Sequence, residues 1–172
     1  NPVRSEIGGS PQGPAAASRF GLSTRKRTLL VTGGSQGARF LNETLVAALP
    51  LLKNAGSWLQ ILHSAGRRDH AWVQDAYTAC GIHSVVLPFI DDMASAYAAA
   101  DLAMCRAGGT TAAELTARGL PAVMVPLPTS ANDHQRRNAA RLAAHGAALI
   151  VDQSDLTPRC LAQTAVQLLG NV

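Results

Sequence analysis

Leu-Leu-Val-Thr-Gly-Gly-Ser-Gln-Gly-Ala, residues 29–38, is the stretch that decides the fold. Its apolar run stops at two glycines, and residues 41–52 then place leucine and alanine at helical spacing. A short, continuous apolar run is typical of a parallel strand that is covered on both faces. The stretch therefore predicts a strand, a tight loop and a helix.

The predicted loop would lie at a helix N-terminus, which favours anions. There the first backbone N–H groups lack partners within the helix, and the peptide dipoles favour negative charge. The glycines at 33, 34 and 37 would let a phosphate approach the main chain. The loop lacks both the Lys-Ser/Thr ending of a P-loop and the Gly-x-Gly-x-x-Gly spacing of dinucleotide sites. Alone, it is compatible with a phosphate site or with a turn that only packs strand against helix.

Composition predicts one ordered α/β domain. The chain has 172 residues, of which 47% are hydrophobic and 15% charged, and no apolar run approaches the roughly 20 residues that span a bilayer. The net charge is +4, but the longest basic run, residues 25–27, has no interleaved aromatics, which argues against nucleic-acid binding. The three cysteines are far apart and lack metal-ligand spacing, so we expect reduced thiols in a cytoplasmic protein.

Further strands are predicted at residues 58–63, 84–87, 102–105, 122–125 and 148–151, each followed by a helical pattern or a polar loop. Strands that alternate with helices predict an α/β fold with a Rossmann-like, doubly wound, mostly parallel six-stranded sheet. Residues 1–24 are rich in glycine and proline and are interpreted as an interdomain connector, and residues 25–172 as the domain itself. The start without Met predicts a piece of a longer protein.

A second glycine loop follows the fourth predicted strand. Residues 106–111 read Arg-Ala-Gly-Gly-Thr-Thr and again open a helix. In doubly wound sheets ligands bind beyond the carboxyl ends of the strands, near the switch in strand order. Two glycine-containing helix starts on that edge favour a nucleotide diphosphate over plain packing turns.

Five motifs in order resemble one family. They are Asn-Pro-Val-Arg at 1–4, Gly-Gly-Ser-Gln-Gly-Ala at 33–38, Phe-Ile-Asp-Asp-Met at 89–93, the loop at 106–111 with Glu114, and Asp-His-Gln at 133–135 with Asn138. Together they resemble the C-terminal half of the MurG family, bacterial peptidoglycan glycosyltransferases of GT-B fold. Members transfer N-acetylglucosamine from UDP-GlcNAc onto lipid I, which gives lipid II.

The resemblance implies that this half binds UDP-GlcNAc. Glu114 would accept hydrogen bonds from the ribose hydroxyls, although an exposed ion pair with Arg118 is the alternative from spacing alone. Gln135 would contact hydroxyls of the GlcNAc and so select the sugar. The implied donor-binding residues are Arg4 over the nucleotide, Ser35, Gln36, Thr110 and Thr111 along the diphosphate, the backbone of Ile90 at the uracil, Met93 near the base, Glu114, His134 and Gln135.

The resemblance implies no metal, no cofactor and no catalytic residue in this half. Asp91 and Asp92 are better explained by helix capping than by metal binding, and a structural role is favoured over a catalytic one for His63. The catalytic base, lipid I binding and membrane contact are expected in an N-terminal half that this chain lacks. The whole protein would be cytoplasmic and peripheral on the inner face of the plasma membrane, and this piece alone would bind donor without turnover.

Other functions remain open at this point. The chain could be the donor subunit of a split N-acetylglucosaminyltransferase, another GT-B glycosyltransferase, or a sugar-nucleotide epimerase of similar architecture. The motifs at 33–38 and 89–93 favour the MurG family over these, but neither motif reads the acceptor.

Overall fold

The computed structural model describes residues 7, 13–34 and 38–170. Arg4, Ser35 and Gln36 lie outside the described residues. The described strands are β1 (Arg27–Thr32), β2 (Leu59–Ser64), β3 (Ser84–Leu87), β4 (Leu102–Cys105), β5 (Ala122–Met124) and β6 (Ala148–Ile150). The described α-helices are α1 (Gly13–Arg19), α2 (Arg39–Leu52), α3 (His70–Cys80), α4 (Met93–Ala99), α5 (Gly109–Arg118), α6 (His134–Ala143) and α7 (Pro158–Gly170).

The six strands form one sheet in the order β3-β2-β1-β4-β5-β6, and every neighbouring pair is parallel. The predicted Rossmann-like α/β fold is therefore confirmed, with a sheet that is entirely parallel. The strand order reverses where β1 meets β4, and Thr32 lies opposite Cys105 at the carboxyl end of that pair. The segments that begin directly after β1 and β4 therefore leave the sheet side by side at this point.

Each face of the sheet has its own apolar core, as the alternation of side chains along β1 requires. Leu29 and Val31 belong to the cluster that α2, α3 and α7 cover, whereas Leu30 belongs to the cluster that α1, α4, α5 and α6 cover. Both faces of the sheet are thus buried, which explains why the strands read as continuous apolar runs.

No helix in the described part of the chain is long and apolar enough to cross a membrane.

Candidate functional site

A cleft of about 280 Å³ lies beyond the carboxyl ends of β1 and β2, at the switch in strand order. Its walls come from the ends of these strands, the segment after β3, and the helices α4 and α5. It is lined by Thr32, Gly34, Ser64, Phe89, Ile90, Met93, Tyr97, Thr110, Thr111 and Glu114. The structure therefore brings together five of the implied donor-binding residues, from the motifs at 89–93 and 106–114, with Gly34 of the motif at 33–38 beside them.

Glu114 is a buried carboxylate in this cleft. Only 2% of the residue is exposed, and its Oε2 accepts a hydrogen bond of 3.0 Å from the hydroxyl of Tyr97. The alternative of an exposed Glu114 is therefore wrong. Carboxylate oxygens accept hydrogen bonds, so a ligand with donors such as hydroxyl groups would complement Glu114.

The start of α5 supplies the part of the cleft that suits an anion. Gly108 is the N-cap and has no side chain that could accept from the first N–H groups of the helix. Thr110 and Thr111 lie in the first turn and line the cleft. Backbone N–H groups at a helix start and nearby hydroxyls both donate to phosphate oxygens. Across the cleft, Gly34 has a φ of +88°, and its N–H lies 3.3 Å from Thr32 Oγ1.

Apolar side chains line the other end of the cleft. Ile90 is only 2% exposed as a whole residue, and its side chain packs in the core that α4 and α5 cover. Met93 packs at the edge of the same core, and Phe89 is 43% exposed beside it. This end can accept the flat face of a base, because the apolar surface is already held in place by the core.

Gln135 and His134 are not among the lining residues of the cleft. Gln135 instead connects the loop at 106–111 to the segment after β5. Its Oε1 accepts hydrogen bonds from the backbone N–H of Ala107, at 3.2 Å, and of Leu127, at 3.0 Å. Asn138, one turn further along α6, donates through Nδ2 to the carbonyl of Ala107 at 3.0 Å. The peptide groups on both sides of Ala107 are therefore fixed by α6, and His134 is exposed at its start.

The side chain of Arg106 fastens the same edge of the sheet. It donates to the carbonyls of Val125 and Pro126, at 3.2 and 3.3 Å, and to Gln153 Oε1 at 2.6 Å. Its guanidinium also lies over the ring of Phe40 in the first turn of α2, 5.9 Å from the ring centre. Burial lowers the pKa of Arg106 from its ordinary value.

Asp92 and His63, which invited a metal and a catalytic interpretation, both make structural contacts. The carboxylate of Asp92 caps α4 by accepting from Ser95 N at 2.9 Å, and its hydrogen bonds to Ser95 and then Arg19 lower its pKa. His63 is fully buried on the other face of the sheet, and burial lowers its pKa to about 3. Within the described residues no group of three or more His, Cys, Asp or Glu side chains could hold a metal ion.

Larger hollows of about 340 to 400 Å³ lie on the α5–α6 flank, beside Arg25, Lys26 and Arg27, and at the amino end of the sheet. Of the described residues in the two glycine loops, only Gly109 lines any of these hollows, the one on the α5–α6 flank. In parallel sheets ligand sites lie at the carboxyl ends of the strands, so the smaller cleft is the candidate site.

Sequence reasoning missed four lining residues: Thr32, Ser64, Phe89 as a wall of the site, and Tyr97. Thr32 and Ser64 are the last residues of their strands, so the carboxyl-end rule could have found them. Tyr97 lies in the second turn of α4. Its spacing of four residues from Met93 would have placed both on one side of α4.

The model of the glycosyltransferase family 28 C-terminal domain matches residues 28–171. A relative from Nitratidesulfovibrio vulgaris, named as UDP-N-acetylglucosamine–N-acetylmuramyl-(pentapeptide) pyrophosphoryl-undecaprenol N-acetylglucosamine transferase, is 46% identical over 173 residues. That match covers 98% of this chain and 45% of the relative. A relative of the same name from Anaeromyxobacter sp. (strain K) is 47% identical over 141 residues, which cover 82% of this chain and 37% of the relative.

The crystal structure of Acinetobacter baumannii MurG superposes with a TM-score of 0.78 at 38% identity, over 96% of this chain and 48% of that chain. This chain therefore spans less than half the length of each of these three proteins. The family match covers most of the chain and includes both glycine loops and the Glu114 helix. The chain belongs to the glycosyltransferase family 28 C-terminal domains.

Proposed function

We propose that this domain binds UDP-GlcNAc in the cleft as the donor half of an inverting N-acetylglucosaminyltransferase that converts lipid I into lipid II. The relatives at 46% and 47% identity carry names that describe this transfer. The acceptor, the catalytic base and the membrane contact would belong to the part of the protein beyond this chain. The protein would act at the inner face of the bacterial plasma membrane.

One observation carries the proposal: the cleft joins an apolar end, a buried carboxylate and a helix start within one space of about 280 Å³. These three features match the three parts of a uridine diphosphate. The base would lie at Ile90 and Met93, the ribose hydroxyls at Glu114, and the diphosphate at Thr110 and Thr111. Such a division of apolar and polar contacts is typical of nucleotide pockets.

The proposed chemistry is a direct displacement at the anomeric carbon. A base from the other half of the protein would remove the proton of the acceptor hydroxyl, and UDP would leave. The N–H groups and hydroxyls at the start of α5 would stabilise the negative charge that develops on the leaving diphosphate. This chain alone would bind the donor without turnover, because it holds only one of the two reactants.

We propose that Gln135 contacts the GlcNAc through its Nε2 group. Its Oε1 already accepts from two backbone N–H groups, so the amide nitrogen is the atom that is left to donate to a sugar oxygen. A Gln135→Glu variant retains an acceptor for both N–H groups and removes the donor. We expect this variant to bind UDP-GlcNAc and UDP with more similar affinities than the unsubstituted chain does.

Calorimetric titration with UDP, UDP-GlcNAc, UDP-glucose and ADP-ribose tests the proposed function. We expect UDP and UDP-GlcNAc to bind, ADP-ribose to fail, and Glu114→Gln to weaken UDP roughly tenfold through the loss of a charge-assisted hydrogen bond. Glu43→Gln is the matched control, because Glu43 is exposed on α2 and pairs only with Arg39 among the described residues. Binding of ADP-ribose as tight as that of UDP, or an unchanged affinity in Glu114→Gln, would contradict the proposal.

A further inference from the structure

Tyr97 and Glu114 join the two helices that form one wall of the cleft. Tyr97 lies on α4 and Glu114 on α5, each is 2% exposed, and the tyrosine hydroxyl donates to Glu114 Oε2 at 3.0 Å. Both side chains also line the cleft. The hydrogen bond therefore ties the orientation of a ligand-facing carboxylate to the position of the neighbouring helix.

The two partners differ in the number of side-chain torsions that must be ordered. The ring of Tyr97 belongs to the buried core of the α4–α5 face, so packing fixes its two side-chain torsions. A glutamate side chain has three torsions and loses more conformational freedom when it is ordered. A hydrogen bond from a fixed phenol selects one orientation of the carboxylate before any ligand arrives, which reduces the ordering cost of binding.

We propose that Tyr97 is a positioning residue, which orients Glu114 so that the site distinguishes a nucleoside diphosphate with a 2′,3′-diol from its 2′-deoxy counterpart. This inference rests on the proposed function, since it assigns Glu114 to the ribose. The ligand class it selects is a ribonucleoside diphosphate. Tyr97 acts through Glu114, and its hydroxyl is assigned no contact with the ligand.

The test measures the affinities of UDP and 2′-deoxy-UDP by calorimetry in the unsubstituted chain, in Tyr97→Phe and in Glu114→Gln. Tyr97→Phe deletes one oxygen and keeps the packed ring. We expect the unsubstituted chain to prefer UDP about tenfold, as for a hydrogen bond to a charged group, and Glu114→Gln to lose most of that preference. Tyr97→Phe should reduce the preference several-fold, mainly by weakening UDP.

Tyr77→Phe is the matched control. Tyr77 is the other buried tyrosine among the described residues, and its hydroxyl also makes a buried hydrogen bond, to His63 Nδ1 at 3.2 Å, but on the opposite face of the sheet. It should lower the melting temperature and leave the ratio of the two affinities unchanged. A merely structural role for Tyr97 would give the same pattern as this control.

The two ways of failing are distinct. An unchanged ratio of UDP to 2′-deoxy-UDP affinity in a folded Tyr97→Phe variant would overturn the positioning role alone and leave the donor site intact. A lack of UDP binding by the unsubstituted chain would overturn the proposed function and this inference together. A ratio that falls in Tyr97→Phe but stays constant in Tyr77→Phe supports the positioning role.

Discussion

Asn42 Oδ1 lies 3.0 Å from Nε2 of His63, in a buried polar network between α2, β2 and α3. The Nδ2 group of Asn42 donates to the carbonyl of Ala65 and to Asp69 Oδ2, both at 2.8 Å. Because Asn42 Oδ1 only accepts, Nε2 of His63 carries the proton, and Nδ1 accepts from the hydroxyl of Tyr77. The two partners therefore select this tautomer, and burial of the ring favours its neutral form by lowering its pKa.

This arrangement predicts an acid-dependent loss of stability through His63. Burial lowers its pKa from 6.5 to about 3. Between these two pH values the imidazole is protonated in the unfolded chain and neutral in the folded chain. Stability from this group is complete above pH 6.5 and decreases as the pH falls from 6.5 towards 3. The decrease is expected to reach several kcal/mol, since one pKa unit corresponds to about 1.4 kcal/mol.

Urea unfolding of the unsubstituted chain and of His63→Gln across pH 4 to 8 measures this effect. The difference in unfolding free energy between the two should favour the unsubstituted chain most at pH 8 and shrink as the pH falls. His145→Gln is the control, since His145 is exposed and bonds only to the Arg141 carbonyl among the described residues. A difference that stays constant over this range would contradict the assignment.

A pair of substitutions at Gln135 measures how much its acceptor oxygen contributes to stability. Gln135→Leu leaves the N–H of Ala107 without its acceptor, and Ala107 is fully buried. An orphaned buried donor costs about 1–3 kcal/mol, so we expect a loss of that size in chemical denaturation. Gln135→Glu keeps an acceptor at the same position and should cost clearly less than Gln135→Leu. Equal losses in the two variants would show that the hydrogen bond from Ala107 N–H to Gln135 Oε1 does not stabilise the fold.

The six strands could be predicted from sequence because each is a short apolar run that ends at a turn signal. The predicted strands at 84–87 and 102–105 have the observed bounds, while β1 begins two residues before the apolar run at residues 29–31 and ends one residue after it. Its first residue, Arg27, is charged and pairs with Asp101, which an apolar pattern does not reveal. The alternation of strands and helices then fixes a parallel sheet with a site at its carboxyl edge.

The environment of Glu114 could not be predicted in the same way. Spacing along α5 offered Arg118 as a partner, but burial depends on which side of α5 faces the sheet and on where α4 lies against it. The bond to Tyr97 joins residues 17 positions apart on two helices, so no local pattern contains it. The bonds of Gln135 to Ala107 and Leu127 were missed for the same reason, because they connect three segments.

Gly34 is expected to resist substitution because of its backbone conformation. Its φ is +88°, and a Cβ there would meet nothing within 4 Å, so strain is the whole cost. An alanine in the left-handed region costs about 1–2 kcal/mol. Gly34→Ala should lose about that much unfolding free energy and, if the proposed donor site is right, weaken UDP as well.

Gly13→Ala provides the comparison for Gly34→Ala. Gly13 has no positive φ, and a Cβ there would lie 3.6 Å from the carbonyl of Ala98, an ordinary van der Waals contact. We expect a change within about 0.5 kcal/mol in thermal or urea unfolding. If Gly34→Ala is as well tolerated as Gly13→Ala, the loop after β1 is able to relax to a negative φ.

Arg106→Lys should be destabilising although the charge is retained. The guanidinium donates through two nitrogens to the carbonyls of Val125 and Pro126 and to Gln153 Oε1, and it also covers the ring of Phe40. A lysine has a single nitrogen and cannot reproduce the planar fork that makes these contacts together.

We expect Arg106→Lys to cost about 1–3 kcal/mol, because at least one buried acceptor loses its donor. Arg141→Lys on α6 is the matched control, since Arg141 is exposed and the same substitution there should change stability by less than about 0.5 kcal/mol. Urea unfolding of the two variants side by side provides the measurement. If both variants unfold at the same urea concentration, the side-chain contacts of Arg106 add nothing measurable to the stability that the pairing of β4 with β5 already gives this edge.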